Sequence, residues 1–570
     1  MKRFSTLRKN TFAVCLAVCA APFLNAQTVY FSWADQFGGT GYDYATSVVV
    51  DGLGNVYTTG EFRGTVDFNP GAGTNNLTST GADDVFVTKI DANGSFVWAV
   101  KIGGTGVDIG NEIRLDAFDH VYVAGTFESS VDFDPGSGTS TMTSTTNTSS
   151  FVVKLTSSGN YMWSKMIGSN LGTATEALAV DAIGVVHLAG DFSGTADLNP
   201  DAGTATAITT GQTDIYIVEL DSGGVYQWSK YFGGSSLEHC ASIAGDVSGN
   251  LYLTGYFSGT CDFEPGAGST NLTASSTDVY VVQLDPSGDL NWAKQMGGGG
   301  SDGGTAIAVD FNGDVFTTGY FDGTADFDPG NGTYNFTAGT GISDAFVSKL
   351  NTNGTFAWAS QLGGTSVDAG QSIALDPSGN VYTTGRFSLT ADFNPGAATN
   401  SLTSAGTYDI YVSKLTSTGA YGWAHKMGGA ANDVGNCVTV DPAGSVYITG
   451  YFAGSGDFDP QASSWTLTSA GLDDIFLVKW SQSGVGIEEN STSMMSVYPN
   501  PSSGLMTLTV SAPLENATVN VLAVNGQVAA QFKQQSGSML NLDLSALPAG
   551  VYILEVMNGD VVSHTRFIKQ

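Results

Sequence analysis

Seven tryptophans, Trp33, Trp98, Trp163, Trp228, Trp292, Trp358 and Trp423, follow one another at intervals of 65, 65, 65, 64, 66 and 65 residues. A period this regular over most of a 570-residue chain marks one supersecondary unit copied seven times, and so restricts the fold to a repeat architecture. In the first copy the tryptophan segment leads into GGTGYD, a strand SVVVD, the turn GLGN, a strand VYTTGEF, the turn GTVDFNPG, a short NLTST, and a strand DVFVTKID closed by ANG. Short runs rich in Val, Tyr, Phe and Thr, bounded by Gly, Asn and Asp, are strands joined by tight turns. The 75 glycines agree, because helix interiors tolerate glycine poorly.

Each copy therefore holds four strands, with a short fifth segment. One such unit cannot cover both of its faces alone, whereas radial stacking covers them and leaves only short edges. The predicted fold class is all-β, with a seven-bladed β-propeller over residues 27–480. The last copy stops after DDIFLVKW, where Trp480 aligns with Ile90, so it lacks a tryptophan strand of its own. The segment TVYFSWADQF at the other end supplies one. Residues 28–37 are therefore expected to complete the unit formed by residues 435–480 and to seal the ring, removing two free sheet edges.

Residues 1–26 carry Lys2, Arg3, Arg8 and Lys9, then an apolar stretch from Phe12 to Leu24, then Ala26. That order reads as a secretory signal peptide cleaved after Ala26, and the apolar stretch is short of the ~20 residues a membrane span needs. No transmembrane segment is expected in the mature chain. Cys240, Cys261 and Cys437 would remain, an odd number that cannot form a complete disulfide framework. Whether Cys240 and Cys261 pair is left open by spacing alone.

Charge is uneven. Residues 27–480 hold 13 basic and 47 acidic side chains, which accounts for nearly all of the net charge of −33. Such a surface repels phosphate backbones and excludes nucleic acid as a partner.

The phrases GNVYTTG and DPSGNVYTTGRF give the repeat region, residues 28–480, a resemblance to the bacterial SBBP-type β-propeller repeat family. After a polar linker over residues 481–495, the phrases MSVYPNPSSG, VNVLAVNGQV, LDLSALPAGVYILEV and TRFIKQ make residues 496–570 resemble the type A C-terminal sorting domain of the type IX secretion system of Bacteroidota. Its residues read as a small immunoglobulin-like β-sandwich, with strands around Leu508, Val519, Val528 and Ile553. The resemblance implies passage across the outer membrane with the type IX machinery as partner, and a mature chain that is anchored at the cell surface or released.

Two constellations stand out as candidate sites. The first is a sevenfold acidic turn before proline, in which Asp132 and Asp134, Asp326 and Asp328, and Asp457 and Asp459 are aspartate pairs. Oxygens at i and i+2 could begin a calcium site, completed by backbone carbonyls, water or a nearby Asp43, Asp108, Asp302, Asp368 or Asp433; the competing reading is that they shape the turn. The second is one variable position between an unvarying Gly and Phe: Glu61, Thr126, Asp191, Tyr256, Tyr320, Arg386 and Tyr451. If it opens to solvent, Tyr256, Tyr320, Arg386 and Tyr451 fall on four successive units and suit stacking on sugars or gripping a peptide of a surface protein. Gly299–Gly303 matches a nucleophile-elbow pattern and Gly298–Gly303 a dinucleotide pattern. Both lie in the turn that every copy owns, with no helix following, and carry no chemistry. The five histidines occupy different repeat positions with no recurring partner, which leaves no predicted catalytic residue. A binding or scaffold protein is expected, with an extracellular polysaccharide hydrolase or lyase, or a purely structural surface component, as the alternatives.

Overall fold

The computed structural model describes residues 28–482 apart from 145, 339–341 and 462, and beyond them residues 495–498, 504–523, 528–548, 550–558 and 561–569. The expected signal peptide and nearly all of the expected linker fall outside the described residues. Two compact units divide between Ser483 and Gly484.

The strands of the first unit all pair antiparallel. Its opening module runs Asp43–Val50, Val56–Asp67, Asn76–Ile90 and Phe96–Gly104, each strand paired with the next. Among the described residues this module occurs seven times, the second and third strands being split by a short interruption in four of the copies. The first strands touch one another in chain order, and Asp433–Val440 of the seventh module touches Asp43–Val50 of the first, so the circuit is closed. This unit is a β-propeller.

Closure uses the two ends of the repeat array. Val29–Phe37 pairs antiparallel with Thr466–Gln482, from Val29 opposite Gln482 to Phe37 opposite Ile475. The module therefore extends to Gln482, two residues past the expected boundary.

Tryptophan holds neighbouring modules together, as its recurrence suggests. The indole Nε1 of Trp98 donates to Ser157 O at 3.1 Å and that of Trp358 to Ser417 O at 3.2 Å, in each case in the turn of the next module. Gly159 and Gly419 in those turns have φ of +78° and +79°, and a Cβ there would stand 3.2 and 2.8 Å from the indole. The seventh module's third and fourth strands are not joined by such a turn, since the fourth comes from Val29–Phe37 at the other end of the repeat array. Trp423 instead packs on the fully buried Trp480 at 6.3 Å and donates to Gln482 Oε1 at 3.2 Å. Trp480 stands where the other copies have an aliphatic residue because it fills the place of the missing turn.

Every first strand carries a one-residue bulge, which leaves Thr46, Asn111, Glu176, Ala241, Thr305, Gln371 and Asn436 unpaired in register. Several of these side chains reach the next module. Thr46 donates to Gly110 O at 2.5 Å, Asn111 to Thr175 O at 2.9 Å and Thr305 to Gly370 O at 2.9 Å, while Asn436 donates to Ala45 O at 2.8 Å across the seam.

The second unit is a hydrogen-bonded network of five antiparallel strands. Leu505–Ala523 and Val528–Asp543 form a long hairpin that loses register between Thr509 and Leu514 and again toward Ala517. Its one half pairs with Met495–Tyr498 and its other half with Gly550–Asn558. Leu508, Leu542, Val519 and Leu554, drawn from both halves, share one core.

No helix among the described residues is long and apolar enough to cross a membrane.

Candidate functional site at one mouth of the channel

The variable positions lie at one end of the channel that the first strands enclose. Glu61 is paired with Tyr44, Thr126 with Ile109, Asp191 with Ala174, Tyr256 with His239, Tyr320 with Gly303, Arg386 with Ala369 and Tyr451 with Val434. All seven are half-buried, and each is followed by a fully packed phenylalanine. The preceding glycine has a steric cause. The bulge drives the first strand's carbonyl toward it, so that a Cβ on Gly255 would meet His239 O at 1.9 Å and one on Gly385 would meet Ala369 O at 2.1 Å. Gly385→Ala is expected to destabilise the chain by about 3 kcal/mol, read as a lowered urea midpoint with unchanged slope; an unaltered midpoint would contradict this packing.

The ring is not symmetric. On one arc Tyr256, Tyr320, Arg386 and Tyr451 occupy consecutive modules, joined by Tyr44, whose ring meets Tyr451 edge-on at 4.7 Å and whose hydroxyl donates to Asp473 at 2.9 Å. Arg386 lies over the ring of Tyr408 at 5.1 Å. Burial raises the hydroxyls of Tyr256, Tyr320 and Tyr451 above the usual tyrosine range, so these groups are neutral and offer an apolar face with a polar tip.

The opposite arc is charged. Glu61 is pushed up to about 7 by burial, reinforced by Asp83. Asp191 accepts from His239 Nδ1 at 2.5 Å and from Cys240 N at 2.8 Å, and the imidazole packs on Tyr256 at 4.8 Å. Burial opposes protonation of His239, but the hydrogen bond and charge of Asp191, with Glu176 adding to them, leave it above its usual value. Glu176 is itself raised by burial.

This His–Asp pair is absent from the sequence reading, which found no recurring partner for any histidine. His120 also bonds Asp116 at 2.8 Å and His187 bonds Glu219 at 2.9 Å. The signal was available. Asp191 sits at the variable position, and His239 faces the same position of the next module. In the third module, His187 and Glu219 replace the Tyr57 and Lys89 of the first copy together.

The acidic turns bond to their own backbone. Asp132 Oδ1 accepts from Asp134 N at 3.1 Å and Ser140 N at 2.8 Å, Asp326 Oδ1 from Asp328 N at 3.0 Å and Tyr334 N at 2.8 Å, and Asp457 Oδ1 from Asp459 N at 3.1 Å and Trp465 N at 2.9 Å. Asp134, Asp328 and Asp459 each accept the amide two residues on. The residue between each pair, Phe133, Phe327 or Phe458, is buried in its module. Asp43, Asp108, Asp302, Asp368 and Asp433 likewise accept backbone amides, as in Gly39 N at 2.8 Å and Arg63 N at 2.9 Å on Asp43. Among the described residues no group of three or more His, Cys, Asp or Glu side chains is placed to hold a metal ion. With these oxygens already engaged, a chelator is expected to leave the melting midpoint of the chain unchanged; a lowered midpoint restored by calcium would favour the metal reading. Cys240, Cys261 and Cys437 are free thiols, the first two buried.

The far mouth differs in kind. A cavity of about 710 Å³ there is bounded by Val309, Leu375 and Val440, and turn tips such as Val247 and Phe311 are 80% exposed around it. Its lining also carries Asp246, Asp310, Lys349 and Asp376, which bond within their own modules, as in Asn250 Nδ2 to Asp246 at 2.8 Å and Lys349 to Asp314 at 2.9 Å, and the candidate site is the first mouth, where the variable residues gather.

Comparison with known proteins adds the route. Residues 496–570 match the family described as a secretion system C-terminal sorting domain. The tail is a type IX sorting domain. A sorting domain directs its chain across the outer membrane, to the cell surface or the extracellular space. Residues 32–61 and 357–386 match the β-propeller repeat family, both stretches ending on a variable position, Glu61 and Arg386. An uncharacterized WD repeat-containing protein of Acanthamoeba polyphaga mimivirus is 26% identical over 438 residues, covering 64% of this chain and 32% of the relative. The chain thus spans about a third of that relative's length. Among solved structures, the extracellular domain of a hybrid two-component system from B. thetaiotaomicron aligns with 94% of this chain and 99% of its own at 9% identity and a TM-score of 0.15.

Proposed function

We propose that the sorting domain delivers a binding propeller, led out of the cytoplasm by residues 1–26 as a signal peptide, and that the propeller's ligand is a glycan or the glycosylated part of a surface protein. The observation that supports this reading is the arc of Tyr256, Tyr320, Arg386 and Tyr451 on consecutive modules, half-buried at the channel mouth beside Tyr44. Neutral tyrosine faces at such a rim suit the apolar faces of sugar rings, and their hydroxyls suit the ring substituents. A glycan-array screen of the full chain is expected to return binders whose signal falls at least tenfold in the triple variant Tyr256→Ala, Tyr320→Ala, Tyr451→Ala. Binding that survives the triple change unaltered would remove the arc from the site.

A second reading, an extracellular polysaccharide hydrolase or lyase, draws on the Asp191–His239 pair with Glu176 beside it, where raised proton affinities at a channel mouth resemble acid–base chemistry. It requires product release from a polysaccharide, abolished by Glu176→Gln and by His239→Asn while binding persists.

A further inference from the structure

We propose that Arg386 makes the mouth selective for a sugar bearing a single localised negative charge, a carboxylate or a sulfate, at the end of an otherwise neutral oligosaccharide. The inference rests on the binding reading above and narrows its ligand class.

Of the 13 lysines and arginines within residues 28–482, ten stand within ion-pair distance of a carboxylate among the described residues. In a segment with 47 acidic side chains that is the expected fate of a cation. Arg386 has no such partner, although it sits in the ring that also holds Glu61 and Asp191. Its Nε is buried and has no hydrogen-bond acceptor among the described residues. A buried N–H without a partner costs free energy, so the native arrangement maintains an unmet donor at the mouth.

The surroundings keep that donor oriented. Tyr408 lies under the guanidinium at 5.1 Å, and Tyr451 on the next module is close enough for the arginine's charge to act on its hydroxyl. A planar fork held against aromatic rings is suited to two-point bonding of a carboxylate or sulfate, which a lysine in the same place would not reproduce. Tyr320 precedes Arg386 in the ring and Tyr451 follows it, so the sugars attached to the acidic one would meet aromatic faces on either side.

The rest of the mouth limits how much negative charge the ligand carries. Glu61 and Asp83, Glu176 and Asp191, and Asp473 stand around the remaining circumference. A polyanion would place charge against them. One acidic residue on a neutral chain satisfies Arg386 without that repulsion.

Titration calorimetry on the full chain tests this with three tetrasaccharides of one neutral backbone, ending in glucose, glucuronate or glucose 6-sulfate. The wild-type chain is expected to bind at least one acidic form tenfold or more tightly than the neutral form, with a preference that weakens as salt is added. Arg386→Gln is expected to abolish the preference, and Arg386→Lys to restore only part of it, each with an unchanged melting midpoint. Tyr320→Ala should weaken all forms alike. Equal affinity of the wild type for the three, or a preference that survives Arg386→Gln, overturns the selectivity while leaving the binding reading intact. Failure of every tetrasaccharide to bind, together with an array on which the tyrosine variants change nothing, overturns both. Capture of a peptide through its terminal carboxylate, with no sugar bound, overturns the glycan class.

Discussion

Phe37→Ala is expected to lower the stability of the chain by about 3–5 kcal/mol. Phe37 is 1% exposed and is the last residue of the strand that the start of the repeat region contributes to the seventh module. Its ring lies 5.9 Å from that of Phe68 in the first module, and Ile475 stands opposite it in the seventh. It therefore belongs to both sides of the seam, in a core with Phe62, Phe68, Ile475 and Leu477. Removing it leaves a cavity where the ring is joined. Tyr30, in the same strand but 45% exposed, provides the contrast, and Tyr30→Ala should shift stability by no more than about 0.5 kcal/mol. Urea unfolding of the full chain measures both. Equal, small effects would mean that this strand is not part of the packed sheet.

Stability is expected to fall as pH rises from about 5 to 8. Burial lifts Asp43, Asp108, Asp214, Asp302 and Asp433 to about 6, and Asp35, Glu61, Glu238 and Asp368 to about 7. A folded-state value above that of the unfolded chain means that the native form holds the proton more tightly. The associated stabilisation is complete below the unfolded value and is lost as pH rises through 6 and 7. Asp116 and Asp246, held below the ordinary carboxylate range by hydrogen bonds that outweigh their burial, work in the other direction and weaken the fold only in stronger acid. The optimum should therefore lie on the acid side of neutrality. Melting midpoints across this range provide the check, and Glu61→Gln, which removes one titrating group, should flatten the decline. A midpoint that climbs toward pH 8 would contradict these environments.

The repeat, the strands and the closing segment were legible in the sequence because they depend on features that local chemistry writes directly. Period-two strands, glycine and asparagine turns and the seven tryptophans each have a fixed spacing, and the absence of a tryptophan strand after Trp480 pointed to its replacement at the other end. The special packing of Trp480 was not legible, since the need for it arises only once Trp423 lacks a turn to rest on. The variable positions could be found by comparing copies within the chain, because the glycine before them and the phenylalanine after them are required by the bulge and the core. What lies between modules was hidden. Asp191 and His239 are 48 residues apart and meet only when the third and fourth modules are packed side by side. The same holds for the isolation of Arg386, which is a statement about what fails to approach it. For the acidic turns, spacing suggested two uses of the same oxygens, and the backbone amides they accept could be seen only with the turn folded.

A disulfide across the seam tests the closed ring most directly. Ser32 and Ser481 are 449 residues apart in the chain, and their hydroxyl oxygens lie 3.1 Å from each other. In the double variant Ser32→Cys, Ser481→Cys, mild oxidation should give a monomer with an intramolecular disulfide, seen as faster migration without reductant and as one linked peptide pair by mass spectrometry. A chain that stays reduced, or that links only to other copies, would mean the two ends of the propeller do not meet, and the mouth with its arc of side chains would not exist as described.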